Sequence, residues 1–176
     1  MMSGLVFTIL LSIASLTMLE GFLRGLGFRR IGGGGWHGRI REDGWLVDVF
    51  IRRIDDRLQL LLPNASIPRE ICERVVRRLA AELYAQVEHR PFDPSYVEVV
   101  GPTPSFCHYC LREVYMPYRC HRCGGYYCSE HRFPWRHNCP GDGGETAAVV
   151  GFEEPREEKR EATRKRRILV KEIPCG

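Results

Sequence analysis

Eight residues between positions 107 and 139 hold most of the chemistry legible in the chain: Cys107, Cys110, Cys120, Cys123, Cys128, His131, His137 and Cys139. Six of the eight cysteines fall in this stretch, and only Cys72 and Cys175 stand apart. Thiolates and imidazoles clustered in one short segment are metal-site composition, and each Cys-x2-Cys turn can aim two sulfurs at one ion, at about 2.3 Å per bond. A disulfide framework would need an oxidising compartment and gives no reason for histidines at fixed spacings. The segment therefore reads as a metal site facing a reducing cytosol.

The full string is Cys107-x2-Cys110-x9-Cys120-x2-Cys123-x4-Cys128-x2-His131-x5-His137-x-Cys139. Structural zinc takes four ligands in a tetrahedron, so eight ligands make two closed sites for two Zn²⁺ ions. By spacing alone the ligands group either consecutively or alternately. His108 and His121 lie between paired cysteines and read as spectators, because two tetrahedra are already filled. A catalytic zinc keeps an open position for water, and with every position taken by protein the chain is not expected to be an enzyme.

The order of these ligands resembles the AN1-type zinc finger family over about residues 101–141. The carriers of that likeness are the terminal run from Cys128 to Cys139, with Arg132 after His131 and Pro134 before the last histidine, together with Gly124 after Cys123 and Tyr127 before Cys128. The resemblance implies a cross-braced module. In it, Cys107, Cys110, Cys128 and His131 hold one zinc, while Cys120, Cys123, His137 and Cys139 hold the other. A RING would end in Cys-x2-Cys, which argues against ubiquitin-ligase activity, and a HIT-type finger shares the Tyr-Cys-Ser turn but spaces its later ligands more loosely.

Charge bears on the partner. Residues 107–139 carry five Arg against two Glu, or +3, and each Cys3His–zinc unit contributes about −1, leaving about +1. That is thin for a nucleic-acid clamp, which must neutralise many phosphates. Aromatic side chains are plentiful instead, and Trp135, in the loop between His131 and His137, is the first choice for an exposed anchor to a protein partner.

The elements that must position the finger read as follows. The fold class is α+β: a small sheet-plus-helix domain over 36–100, followed by the zinc-stabilised finger over 101–141. Trp36 to Glu42 and Trp45 to Arg52 form a hairpin about Asp43-Gly44. Trp45, Val47, Val49 and Ile51 alternate onto one face, as do Leu58, Leu60 and Leu62. A helix opens near Ser66 and Pro68 and runs to about Glu88, with Ile71, Val75, Leu79, Leu83 and Val87 along one stripe. Tyr96 to Val100 is a last strand. Cys72 reads as a buried thiol, and His37 and His89 as isolated histidines.

Residues 1–23 are almost uncharged, broken only by Glu20, and are followed by Arg24, Arg29 and Arg30. Their length of about 20 residues suits a bilayer-crossing helix with the remainder in the cytoplasm. Gly32 to Gly35, within residues 24–35, reads as a flexible linker. Residues 142–176 form a charged, flexible tail with a basic run from Arg164 to Arg167. The expected function is a zinc-binding, protein-recruiting module at the cytoplasmic face of the cell membrane. The alternatives are a nucleic-acid- or ribosome-associated finger, and a cytoplasmic location.

Overall fold

The computed structural model of the chain describes residues 4–11, 16–64, 66–142 and 149–150. The elements follow in chain order as β1 (Leu5–Leu10), α1 (Leu16–Gly25), β2 (Arg29–Arg30), β3 (Trp36–Glu42), β4 (Trp45–Ile54), β5 (Arg57–Leu62), α2 (Arg69–Leu83) and β6 (Val97–Pro102). The finger contributes β7 (Tyr118–Arg119) and β8 (Tyr126–Tyr127), and β9 (Val149–Val150) follows it. One α+β sheet runs β2-β3-β4-β5-β1-β6, antiparallel throughout, with β9 added in parallel beside β3.

The hairpin turn is set by its residues. Asp43 and Gly44 both have positive φ, 46° and 80°, the backbone twist that a two-residue loop needs to match the twist of its strands. Alternation then sorts side chains to two faces. Phe7 and Ile9 of β1, Trp36 and Ile40 of β3, Val47, Val49 and Ile51 of β4, and Leu58, Leu60 and Leu62 of β5 point to one side. There they meet Leu19, Phe22 and Leu23 of α1 and the stripe Ile71, Val75, Leu79 and Leu83 of α2. Trp45, expected on that buried face, is exposed at the hairpin end of β4. Pro68 stands at the helix N-cap, and beyond Leu83 a π turn over Tyr84–Glu88 carries Val87 onto the same core. Cys72 is buried in this layer.

The N-terminal apolar run does not form the one long helix expected of it. It divides into an internal strand and an amphipathic helix, and no helix among the described residues is long and apolar enough to cross a membrane. The physical reason lies in where β1 sits. Between β5 and β6 it buries Phe7 and Ile9 on the helix side and Val6 on the other, so both faces must be apolar. A strand buried on two faces loses its alternation and reads as a continuous hydrophobic run. Glu20, the one charge in the run, faces outward to meet Arg24 and Arg30 at 2.9 Å each.

The second face of the sheet is covered by the finger. Val6, Phe50 and Leu61 from β1, β4 and β5 pack with Phe106 and Leu111 into a small core of their own. At on the order of 2 kcal/mol for each large apolar side chain withdrawn from water, these contacts dock the finger firmly. Arg52 Nη1 also donates to the carbonyl of Leu111 at 3.2 Å.

The glycine run expected as a linker is part of this interface. Gly32–Gly34 is a 3-10 turn pressed against the finger. A Cβ on Gly32 would fall 2.1 Å from the ring of Tyr109, and one on Gly33, whose φ is +79°, would fall 2.8 Å from the carbonyl oxygen of Cys110. Glycine is required there for close approach. The expected charged tail, with Arg164 to Arg167 and Cys175, lies outside the described residues apart from the short β9.

Candidate metal centre

The finger has little regular structure, so turns and ligands do the positioning. Leu111 N donates to Cys107 O at 2.8 Å and Gly124 N to Cys120 O at 2.9 Å, closing each Cys-x2-Cys segment into a tight turn. The β7–β8 ladder pairs Tyr118 with Tyr127 and Arg119 with Tyr126, which carries Cys120 and Cys128 to opposite ends of a short hairpin. His108 N donates to Tyr126 O at 2.8 Å and ties the first turn to that hairpin. His131 N donates to Cys128 O at 3.1 Å, and Pro134–Arg136 form one 3-10 turn before His137.

These turns bring together two sets of four. Cys107, Cys110, Cys128 and His131 form one, Cys120, Cys123, His137 and Cys139 the other, and within each the ligand atoms lie within 4.8 Å of one another. Cys120 and Cys139 sulfurs are 3.8 Å apart, Cys123 Sγ is 3.8 Å from His137 Nε2, and His131 Nδ1 is 3.8 Å from Cys107 Sγ and 3.1 Å from Cys128 Sγ. In a zinc tetrahedron the bond lengths give S···S of roughly 3.8 Å and S···N of roughly 3.5 Å. The two clusters therefore fit two zinc ions, each with a Cys3His set.

Surrounding groups tune the ligands. Burial, reinforced by neighbouring thiols, pushes Cys110 and Cys139 up to about 11 in the metal-free clusters. Burial acts the same way on Cys120, but the backbone N–H groups of Cys123 and Arg122 outweigh it and bring that thiol down to about 6. Each cluster thus contains a thiol that zinc must deprotonate, and zinc binding releases protons. The hydroxyl of Tyr127 donates to Cys123 Sγ at 3.2 Å, and burial together with that sulfur holds its own proton firmly in place. The same ring stacks on His137 with centroids 3.7 Å apart. His137 Nδ1 donates to the carbonyl of His131 at 2.7 Å, which leaves Nε2 as the lone-pair nitrogen.

His121 is exposed and outside both clusters. His108 also ligates nothing, but it is not idle. Its ring packs against Phe50, Phe106 and Tyr126 in the docking interface, and burial pushes it down to about 4, so it stands there neutral. His37, isolated in the sequence, stacks on Phe50 at 4.3 Å and reaches Asp48 at 3.0 Å, while His89 ends the π turn in the left-handed region. No sequence signal pairs His37 with Asp48 beyond their places on neighbouring strands, both on the finger side of the sheet. Between sheet and finger lies a cleft of about 630 Å3, bordered by His37 and Asp48 on one wall and by Cys123 and His137 on the other.

Residues 107–143 match the family model of the AN1-like zinc finger. No curated protein and no solved structure matches the chain. Family match and ligand geometry meet on the same segment: the chain carries, at residues 107–143, an AN1-like zinc finger whose two Cys/His clusters fit two zinc ions.

Proposed function

We propose that the chain is a zinc-binding adaptor whose finger recruits another protein through the loop between His131 and His137, with both zincs structural and no catalytic centre. The observation that carries this reading is the stacked pair Phe133 and Trp135, with ring centroids 4.8 Å apart and planes 7° apart. Phe133 is 40% exposed and Trp135 72%. The Arg132 guanidinium lies 4.5 Å over the Phe133 ring, so the outer surface combines the aromatic and arginine side chains that dominate protein interfaces. The loop is fixed at both ends by zinc ligands, which lowers the entropy lost on binding. A thiolate-rich site also favours a reducing, cytoplasmic setting.

Trp135→Ala tests the reading. The variant should keep both zincs and its melting behaviour, yet fail to retain partners that wild type captures and mass spectrometry identifies. Tight, salt-sensitive RNA or DNA binding that survives Trp135→Ala would favour the nucleic-acid alternative.

A further inference from the structure

The two zinc clusters are unequally covered. In the first, Cys107 is buried while Cys110, Cys128 and His131 are half-buried; in the second, Cys120, His137 and Cys139 are buried and Cys123 alone is half-buried. That one accessible sulfur is also guarded. Cys123 Sγ accepts the Tyr127 hydroxyl at 3.2 Å, and the Tyr127 ring covers His137 with centroids 3.7 Å apart. A hydrogen bond to a thiolate stabilises its charge and lowers its nucleophilicity. No hydroxyl among the described residues reaches Cys110 or Cys128. The first cluster also stands at a joint. Phe106 and Leu111, which dock the finger on Val6, Phe50 and Leu61, directly flank Cys107 and Cys110, and Cys128 and His131 lead into the loop of Phe133 and Trp135. Whatever opens this cluster loosens both surfaces.

We propose that the first cluster is an oxidation site, where a peroxide joins Cys110 and Cys128 in a disulfide, frees one zinc and releases the finger from the sheet. Zinc-bound sulfur is thiolate, and cysteine oxidation follows thiolate character and exposure. One of the two thiolates attacks the peroxide: an S–O bond forms, the O–O bond breaks, and the departing hydroxide takes a proton to become water. The other thiolate then attacks the sulfenic sulfur, so the S–S bond forms, the S–O bond breaks, and a second hydroxide leaves as water. Two electrons pass from the two sulfurs to one peroxide, with two protons drawn from solvent. The ligand atoms of the cluster lie within 4.8 Å of one another, so the second sulfur is in reach of the first. Zinc, left with Cys107 and His131, is no longer held. A thiol reductant and fresh zinc reverse the change.

The test treats the full, zinc-loaded chain with hydrogen peroxide and follows zinc release with a chromogenic chelator, against a peroxide-free control. Samples are quenched in denaturant with an alkylating reagent, and the cysteines are mapped by mass spectrometry. One zinc per chain should leave in a phase roughly tenfold faster than the other. At its end Cys110 and Cys128 should be joined, with Cys120, Cys123 and Cys139 still alkylated. Binding of a hydrophobic dye should rise in the same phase, as Val6, Phe50 and Leu61 lose their cover, and reduction with zinc should reverse it. Tyr127→Phe, which removes only the hydroxyl on Cys123, should speed the slower phase and leave the faster one unchanged. Oxidation of Cys120, Cys123 or Cys139 ahead of Cys110 and Cys128 overturns the proposal, as does retention of both zincs or oxidation of both clusters in one phase. Zinc release without a rise in dye binding overturns the release of the finger. Should Tyr127→Phe fail to hold two zincs, the wild-type cysteine map decides.

Discussion

The backbone carbonyl of His131 accepts a 2.7 Å hydrogen bond from Nδ1 of His137, so a ligand of one zinc cluster holds a ligand of the other in place. A carbonyl can only accept, which fixes the proton on Nδ1 and presents the Nε2 lone pair toward Cys123 Sγ, 3.8 Å away. The two clusters are thus joined by more than alternation of ligands along the chain. Orientation of the second rests on the position of the first.

Breaking the first cluster should therefore weaken the second. Wild type should bind two zincs per chain by inductively coupled plasma measurement. In Cys128→Ser, which removes a first-cluster ligand 3.1 Å from His131, the remaining site should lose affinity by about 10–100-fold, the usual cost of disturbing an outer-shell partner of a metal ligand. Competition with a chromogenic chelator reads this directly. An unchanged affinity at the second cluster would show the sites to be independent.

Metal removal should also be felt by the sheet. Val6, Phe50 and Leu61 are buried because Phe106 and Leu111 of the finger cover them, and the finger owes most of its folding free energy to zinc, on the order of 10 kcal/mol per site. Chelation should release the finger, expose that apolar face, raise binding of a hydrophobic dye and lower the melting temperature of the sheet. Zinc restored under reducing conditions should reverse all three changes. A sheet whose melting and dye binding ignore chelation would mean that the docking contributes nothing.

How much of this was legible beforehand depends on the kind of signal. The clusters were readable because cysteine and histidine have few reasons to recur at such intervals. The β3–β4 hairpin and α2 were readable because each buries one face, so the period survives in the sequence. The run from Leu5 to Leu11 was misleading for the opposite reason: an internal strand buried on both faces has no period, and its length cannot separate it from part of a membrane helix. Gly32 to Gly35 misled because a glycine run looks the same whether it is free or pressed against Tyr109 and Cys110. The covered second face of the sheet was hidden in single residues, Phe50 and Leu61, whose partner lies some fifty residues further along the chain.

Asp48 gives the sheet a pH dependence with a definite sign. Burial raises its pKa, but the hydrogen bond and charge of His37, with Arg39 behind them, win and hold it below the ordinary carboxylate range. A carboxylate depressed in the folded state contributes stability above its unfolded pKa of about 3.9 and loses it as pH falls through the folded value. The contribution should thus be complete at neutral pH and fade only below about pH 4. Asp48→Asn should lower stability at pH 7 by about 1.5–3 kcal/mol in denaturant titration, the range for a hydrogen bond to a charged group. The Asp48 carboxyl carbon should titrate below the exposed aspartates in an NMR series, and a midpoint at or above theirs would refute the assignment.

Ile9 decides between the two roles that the N-terminal run invites. Its side chain is fully buried within β1, where the backbone pairs with Leu58 of β5 on one side and Val97 of β6 on the other. It shares the core with α1 and α2, so truncation removes both its own transfer energy and the packing of the layer above it. Ile9→Ala should destabilise the protein by about 2–5 kcal/mol, the range for a core isoleucine cut to alanine. Leu10, next along the strand, is 37% exposed, and Leu10→Ala should cost much less. The contrast between adjacent residues is the informative part. A membrane-spanning helix would place both in lipid and give the two substitutions similar, small effects on the stability of the water-exposed remainder. Urea titration of both variants with zinc present measures the difference, and near-equal midpoints would return the run to the bilayer reading.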